Sequence, residues 1–123
     1  GILLIDDDKW IRDSLAMYFE GEGCTISVCE TAEEGLKAFE DMRYGTIIAD
    51  YLLPGMDGME FFRRISTSRR RVAKVLITAY GNDTILSEAK RIGIDAVIEK
   101  PFTVEILKLT LSRLIRVGPQ CQG

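Results

Sequence analysis

Short apolar runs recur along the chain, separated by segments of helical period. Ile2-Leu3-Leu4-Ile5, Thr46-Ile47-Ile48-Ala49, Val75-Leu76-Ile77 and the shorter Ala96-Val97-Ile98 are such runs. Thr46 to Ala49 has no polar face, which predicts a strand in the middle of a sheet covered on both sides. Thr25-Ile26-Ser27-Val28 alternates polar and apolar residues, the pattern of an edge strand with one wet face. Between the runs, Ile11, Leu15, Tyr18 and Phe19 share a helical face, as do Ala32, Leu36 and Phe39, then Met59, Phe62 and Ile65, then Ile85, Ala89 and Ile92, and last Val104, Leu107, Leu111 and Leu114. Strands alternating with helices in this way predict repeated βαβ units, a parallel sheet and right-handed crossovers.

Local punctuation agrees with that reading. Gly21 and Gly23 end the first helix, and Thr31 with Glu34 forms a capping box for the second. Pro54-Gly55 is a turn, and Asp57 followed by Glu60 caps the third helix. Asn82 or Asp83 caps the fourth, Thr103 caps the fifth, and Gly118-Pro119 closes it. Length changes the picture only by limiting it: 123 residues, 46% hydrophobic and 28% charged, suit one globular domain.

The charge lies at the downstream ends of the apolar runs. Asp6-Asp7-Asp8 follows Ile5, Asp50 follows Ala49, Thr78 follows Ile77 and Glu99-Lys100-Pro101 follows Ile98. In an open parallel sheet the ligand crevice lies beyond the carboxyl ends of the strands, so Asp6, Asp7, Asp50, Thr78 and Lys100 are expected to converge. Crowded carboxylates repel unless a cation sits among them, and an oxygen-only donor set with few carboxylates favours magnesium over calcium. A carboxylate nucleophile, a divalent ion, a lysine and a hydroxyl are together what phosphoryl transfer to an aspartate requires. Asp8 and Asp57 taken singly read as helix caps.

Other features narrow the class by exclusion. The chain has no histidine, which removes the commonest general base and the commonest zinc ligand together. Cys24, Cys29 and Cys121 are an odd set without metal-ligand spacing, expected as reduced thiols in a reducing compartment. A net charge of -3 gives no general attraction to nucleic acid or to an anionic membrane. No apolar run approaches the roughly 18 residues that span a bilayer, so a cytoplasmic domain is expected. Arg69-Arg70-Arg71 reads as a solvated loop.

The motifs Ile5-Asp6-Asp7-Asp8, Ile48-Ala49-Asp50-Tyr51-Leu52-Leu53-Pro54-Gly55-Met56-Asp57-Gly58, Leu76-Ile77-Thr78-Ala79 and Lys100-Pro101-Phe102 resemble those of the receiver domain of two-component response regulators. The resemblance covers about residues 2–115 and implies a flavodoxin-like α/β fold, a doubly wound five-stranded parallel sheet of order 2-1-3-4-5 with five helices. It implies a receiver domain over residues 1–117 and a linker or tail over 118–123. Asp50 would be the phosphoacceptor, with Asp7, Asp50 and the backbone carbonyl of Leu52 on Mg2+ and Asp6 acting mostly through a bound water. Thr78 would take a phosphoryl oxygen, Lys100 would pair with Asp50 and then with the phosphate, and Lys100-Pro101 would be cis. The expected partners are a sensor histidine kinase or phosphotransfer protein, with a homodimer through the fourth helix, fifth strand and fifth helix, and neither nucleic acid nor membrane bound directly. One position departs from the family pattern, since Val97 stands where an aromatic switch residue is usual.

Three other functions compete. A flavin carrier of the same topology needs a hydroxyl- and glycine-rich phosphate loop after the first strand, where this chain has three aspartates. A haloacid-dehalogenase-like phosphatase keeps its nucleophile at the first strand and normally carries a cap. An interaction module retaining the site without being phosphorylated is separated from an acceptor by reaction with a small phosphodonor.

Overall fold

The computed structural model describes residues 1–115, the side chain of Ile115 excepted. Five strands alternate with five helices: β1 (Ile2–Ile5), α1 (Lys9–Gly21), β2 (Ile26–Cys29), α2 (Ala32–Asp41), β3 (Thr46–Asp50), α3 (Gly58–Ile65), β4 (Ala73–Thr78), α4 (Asp83–Ile92), β5 (Ala96–Glu99) and α5 (Val104–Ile115). The strands form one parallel sheet of order β2-β1-β3-β4-β5. This is the expected doubly wound architecture, and the order reverses between β1 and β3. The expected boundary at 117 and the tail 118–123, with Gly118-Pro119 and Cys121, lie outside the described residues.

Strand side chains alternate between two apolar layers because the strand period is two. Leu3, Ile5, Ile47, Ala49 and Leu76 face α2, α3 and α4. Ile2, Leu4, Ile48, Val75, Ile77 and Ile98 face α1 and α5, meeting Leu15, Phe19, Leu107 and Leu111. All four residues of β1 and all five of β3 are buried, so the strands that end at the acidic cluster are the most tightly enclosed. At roughly 1.5–3 kcal/mol per fully buried aliphatic or aromatic side chain, these layers hold the strand ends in place.

The helices differ in how firmly they are seated. In α3, Gly58, Met59, Phe61, Phe62 and Ile65 are all buried, whereas α4 buries only Ile85 and Ala89. Phe61 lies outside the stripe expected from period alone, because α3 packs between α2 and α4 and needs a wider apolar face. Caps fall where the sequence places them. Asp8 accepts from the Trp10 N–H at 2.9 Å and Asp57 from Glu60 at 2.8 Å, the Thr31–Glu34 box is closed, Asn82 rather than Asp83 caps α4, and Thr103 accepts from Ile106 at 3.2 Å.

One expectation needs correction and two gain detail. The wet position of β2 is Val28, while Ser27 is half-buried, because Val28 lies on the α1 face of an edge strand whose outer end the helix leaves uncovered. Arg69, Arg70 and Arg71 are exposed and lie outside any helix or strand, as expected, and Arg70 is also anchored. Its guanidinium donates to the Phe39 and Met42 carbonyls and lies 4.8 Å over the Phe39 ring, capping the C-terminal end of α2. Of the cysteines, Cys29 is a half-buried free thiol and Cys24 is buried.

Candidate functional site

The site is built where β1, β3, β4 and β5 end. Consecutive residues of an extended strand point to opposite faces, so Asp6 and Asp7 can share a site only if the backbone turns at once after Ile5. The turn comes at Asp6 itself: its N–H still extends the ladder to the Cys29 carbonyl at 3.0 Å, while the Asp8 N–H folds back onto Asp6 Oδ1 at 2.9 Å and Asp8 opens α1. Carboxylate oxygens of Asp6, Asp7 and Asp50 then lie within 4.8 Å of one another. Asp6 is wholly buried, Asp50 nearly so, and Asp7 exposed.

The turn after Asp50 is held from below. The Tyr51 N–H donates to the Ile77 carbonyl at 2.7 Å, and the Gly58 N–H to the Tyr51 carbonyl at 2.8 Å. A Cβ on residue 58 would sit 2.9 Å from the Asp50 carbonyl carbon and closer still to its oxygen, so α3 starts against the Asp50 peptide only because residue 58 is glycine. On the other flank, the Lys100 N–H donates to the Thr78 carbonyl at 2.8 Å, and the Lys100-Pro101 peptide is cis, as expected. Lys100 Nζ reaches Asp50 Oδ2 at 3.0 Å.

A cavity of about 580 Å³ opens over this cluster, lined by Asp7, Asp8, Asp50, Leu52, Leu53, Pro54, Ala79, Tyr80 and Lys100. Leu52 and Tyr80 are 63% and 57% exposed at its rim. Two expected residues do not line it. Asp6 lies beneath the others, and Thr78 is buried at the end of β4 with its hydroxyl accepting from the Tyr80 N–H at 2.9 Å. Trp10 is 78% exposed and lines an adjoining groove with Ile11, Pro101 and Phe102, which shares Asp8 and Lys100 with the cavity.

Burial is the largest influence on both enclosed acids. It raises the Asp6 carboxyl to about 6, with the Asp8 N–H opposing, the Asp50 charge adding, and Lys100 and Asp7 making smaller contributions of opposite sign. It also raises Asp50, although the hydrogen bond and charge of Lys100 oppose it. Lys100 is disfavoured as a cation by its own burial, but Asp50, Asp6 and Asp8 outweigh this and raise it above its ordinary value. The pair is therefore held together at a net desolvation cost to the acid.

Asp6 Oδ1 accepts from the Asp8 N–H at 2.9 Å, but Oδ2 is buried without a hydrogen-bond partner among the described residues. A buried carboxylate oxygen left unpaired is costly, and one beside two other carboxylates suits a hard cation. The donors are all oxygens, which fits magnesium.

Sequence reasoning passed over two supports of this site. Arg12 donates to the Asp6 carbonyl at 2.8 Å; its only signal is a charge between Ile11 and Leu15. Glu33 on α2 accepts from the Met56 N–H at 3.3 Å and so steadies the loop after Asp50; nothing in the sequence signals a contact across that distance.

The family model of the response regulator receiver domain matches residues 2–112 of this chain. The chain belongs to that family, and is a receiver domain of the two-component signalling type. It is 29% identical to the transcriptional regulatory protein FixJ of Bradyrhizobium diazoefficiens over 94% of this chain and 56% of that protein. It is 31% identical to ResD of Bacillus subtilis over 97% of this chain and 49% of that protein. The chain thus spans about half the length of these curated relatives. Among solved structures it resembles the CheY-like receiver domain protein of Methanospirillum hungatei, with a TM-score of 0.88 and 30% identity over 94% of this chain and 92% of that one. It also resembles the receiver domain of NtrX from Brucella abortus, with a TM-score of 0.84 and 30% identity over 94% and 98%.

Proposed function

We propose that this receiver domain accepts a phosphoryl group onto Asp50 from the phosphohistidine of a sensor kinase or phosphotransfer protein, in a magnesium-dependent reaction. The observation that carries this reading is Asp50 itself, an enclosed carboxylate 3.0 Å from Lys100 Nζ and grouped with Asp6 and Asp7. Asp6, Asp7, Asp50 and the Leu52 carbonyl would hold the ion. When bound, magnesium supplies positive charge to carboxylates and phosphoryl oxygens that would otherwise repel.

The chain's own part begins with Asp50, whose carboxylate oxygen attacks phosphorus in line with the donor's P–N bond. The new O–P bond forms as the P–N bond breaks, and the bonding pair leaves with the imidazole. Lys100 holds Asp50 before transfer and then follows the negative charge to the phosphoryl oxygens, which its flexible stem allows. The Thr78 hydroxyl, now occupied by the Tyr80 N–H, would turn to donate to a phosphoryl oxygen and draw the β4–α4 loop inward. With no histidine of its own, the chain accepts and does not donate.

The output surface in this reading is α4, β5 and α5, as a homodimer face or against another domain, because Thr78 and Lys100 tether that side to the phosphate. Val97 is half-buried against the core and is too small to act as a rotating ring. Tyr80 is the aromatic nearest the tether. No described helix is long and apolar enough to cross a membrane, and a cytoplasmic setting belongs to the same proposal. The test is incubation with acetyl phosphate and magnesium, read by intact mass. One phosphoryl group should be gained, and the Asp50→Asn variant should gain none; equal labelling of that variant would refute the assignment.

A further inference from the structure

The turn that presents Asp6 and Asp7 together leaves the Asp6 carbonyl outside the ladder that binds β1 to its neighbours, and one side chain takes it up. Arg12 projects from the first turn of α1 with its side chain only 12% exposed. One guanidinium nitrogen donates to the Asp6 carbonyl at 2.8 Å, and the other faces the Glu30 carboxylate at 3.4 Å. The Glu30 backbone is fixed, its N–H donating to Glu34 Oε1 at 3.2 Å beside the Thr31–Glu34 capping box, while its carboxylate is 68% exposed. The Asp6 N–H meanwhile bonds to the Cys29 carbonyl. The backbone of Asp6 is thus held on both sides, by the end of β2 and by an arginine braced on the β2–α2 turn.

We propose that Arg12 is a positioning residue for the acidic site: it fixes the Asp6 peptide so that two consecutive carboxylates meet at one point. The inference rests on the reading that this site takes magnesium. Arg12 has its bond to a carbonyl, so its effect on a cation passes through where it puts Asp6 and Asp7.

The sign of its removal separates this role from a purely electrostatic one. A guanidinium near a cation site repels the cation, so a variant without the charge would bind magnesium more tightly if the field were what mattered. If the bond to the Asp6 carbonyl matters, the same variant binds more weakly, because the carboxylates spread and must be gathered at the expense of binding. Groups that orient metal ligands without touching the metal commonly change affinity by about 10- to 100-fold when lost.

The experiment uses the whole chain as wild type, Arg12→Met and Arg12→Lys, with magnesium chloride titrated calorimetrically and phosphorylation by acetyl phosphate followed against magnesium concentration. Arg12→Met keeps the apolar stem and loses the donors. It should need on the order of tenfold more magnesium for half-maximal phosphorylation, with the wild-type rate recovered at saturating magnesium. Arg12→Lys, which restores one donor and the charge, should recover most of the affinity. Unchanged or tighter binding by Arg12→Met overturns the proposal. So does a lowered maximal rate that magnesium does not restore and that tracks a lowered melting temperature, since that is a folding defect. Failure of the wild type itself to bind magnesium would instead refute the underlying reading of the site.

Discussion

Replacing Asp6 by Asn should stabilise the metal-free domain, and should do so more strongly as the pH rises. Asp6 carries a carboxyl raised from 3.8 to about 6 in the folded chain, mainly by burial. A raised acid favours the folded state while it is protonated; that contribution is fully present below 3.8 and is lost as the pH rises through about 6. The gap is worth about 3 kcal/mol at ~1.36 kcal/mol per pH unit. Integrated over the titration, the ionised Asp6 costs about 1 kcal/mol at pH ~4.5 and about 3 kcal/mol at pH ~7.5. The Asn side chain keeps an oxygen to accept the Asp8 N–H and places a neutral amide where Oδ2 stood, while also relieving Asp50 of one neighbouring charge. Urea unfolding of both proteins in chelator, across that pH range, should show the variant's advantage growing by about 2 kcal/mol. Saturating magnesium should shrink or reverse the advantage, because only the wild type keeps all three carboxylates for the ion. A stability difference that stays flat between those pH values would refute the reasoning, since a pH-independent gain would mean that Asp6 does not carry an ionised, poorly solvated charge.

The other expectations concern the rim of the cavity, its floor and the surface beyond. Leu52 and Tyr80 flank the approach to Asp50 and offer no group to orient a hydrolytic water, so the aspartyl phosphate should be long-lived. The Leu52→Asn, Tyr80→Glu double variant should lose phosphate at least about tenfold faster, as followed by mass after removal of the phosphodonor, and an unchanged or slower rate would count against the obstruction. Gly58→Ala forces a Cβ against the Asp50 carbonyl and should lower stability by about 1–3 kcal/mol in urea despite alanine's better helix propensity; a neutral substitution would show that α3 can slide away. With beryllofluoride and magnesium, amide exchange should change in residues 81–92 and 103–115, and changes confined to α1 and α2 would place the output surface elsewhere.

The strands, the caps and the convergence of Asp6, Asp7, Asp50 and Lys100 were legible because each rests on local spacing. A run of apolar residues ends, a charged one follows, and the topology rule for parallel sheets does the rest. What was not legible depends on contacts between segments far apart in the chain. Arg70 reaches carbonyls at Phe39 and Met42, Arg12 reaches Glu30, and Gly58 is pressed against Asp50; none of these leaves a periodic trace. Phe61 escaped the stripe for a related reason, since the width of a helix's buried face is set by how many neighbours it has. The burial of Thr78 and Asp6 beneath the cavity could not be read either, because a residue type after a strand says nothing about its depth.

The unequal seating of α3 and α4 decides which way the domain yields when charge is added at Asp50. By covalent distance α3 is the nearer element, with its first residue resting on the Asp50 carbonyl, and it would be the natural follower of any movement there. Five of its eight residues are locked into the interior, however, against two of ten in α4. Displacing α3 would expose several large side chains at about 1.5–3 kcal/mol each, while α4 can shift by remaking the contacts of Ile85 and the small Ala89 and the ion pair from Arg63 to Glu88. If Asp50 takes the proposed phosphoryl group, the helix beneath it would therefore act as a fulcrum, and the more lightly moored one beside it as the lever arm.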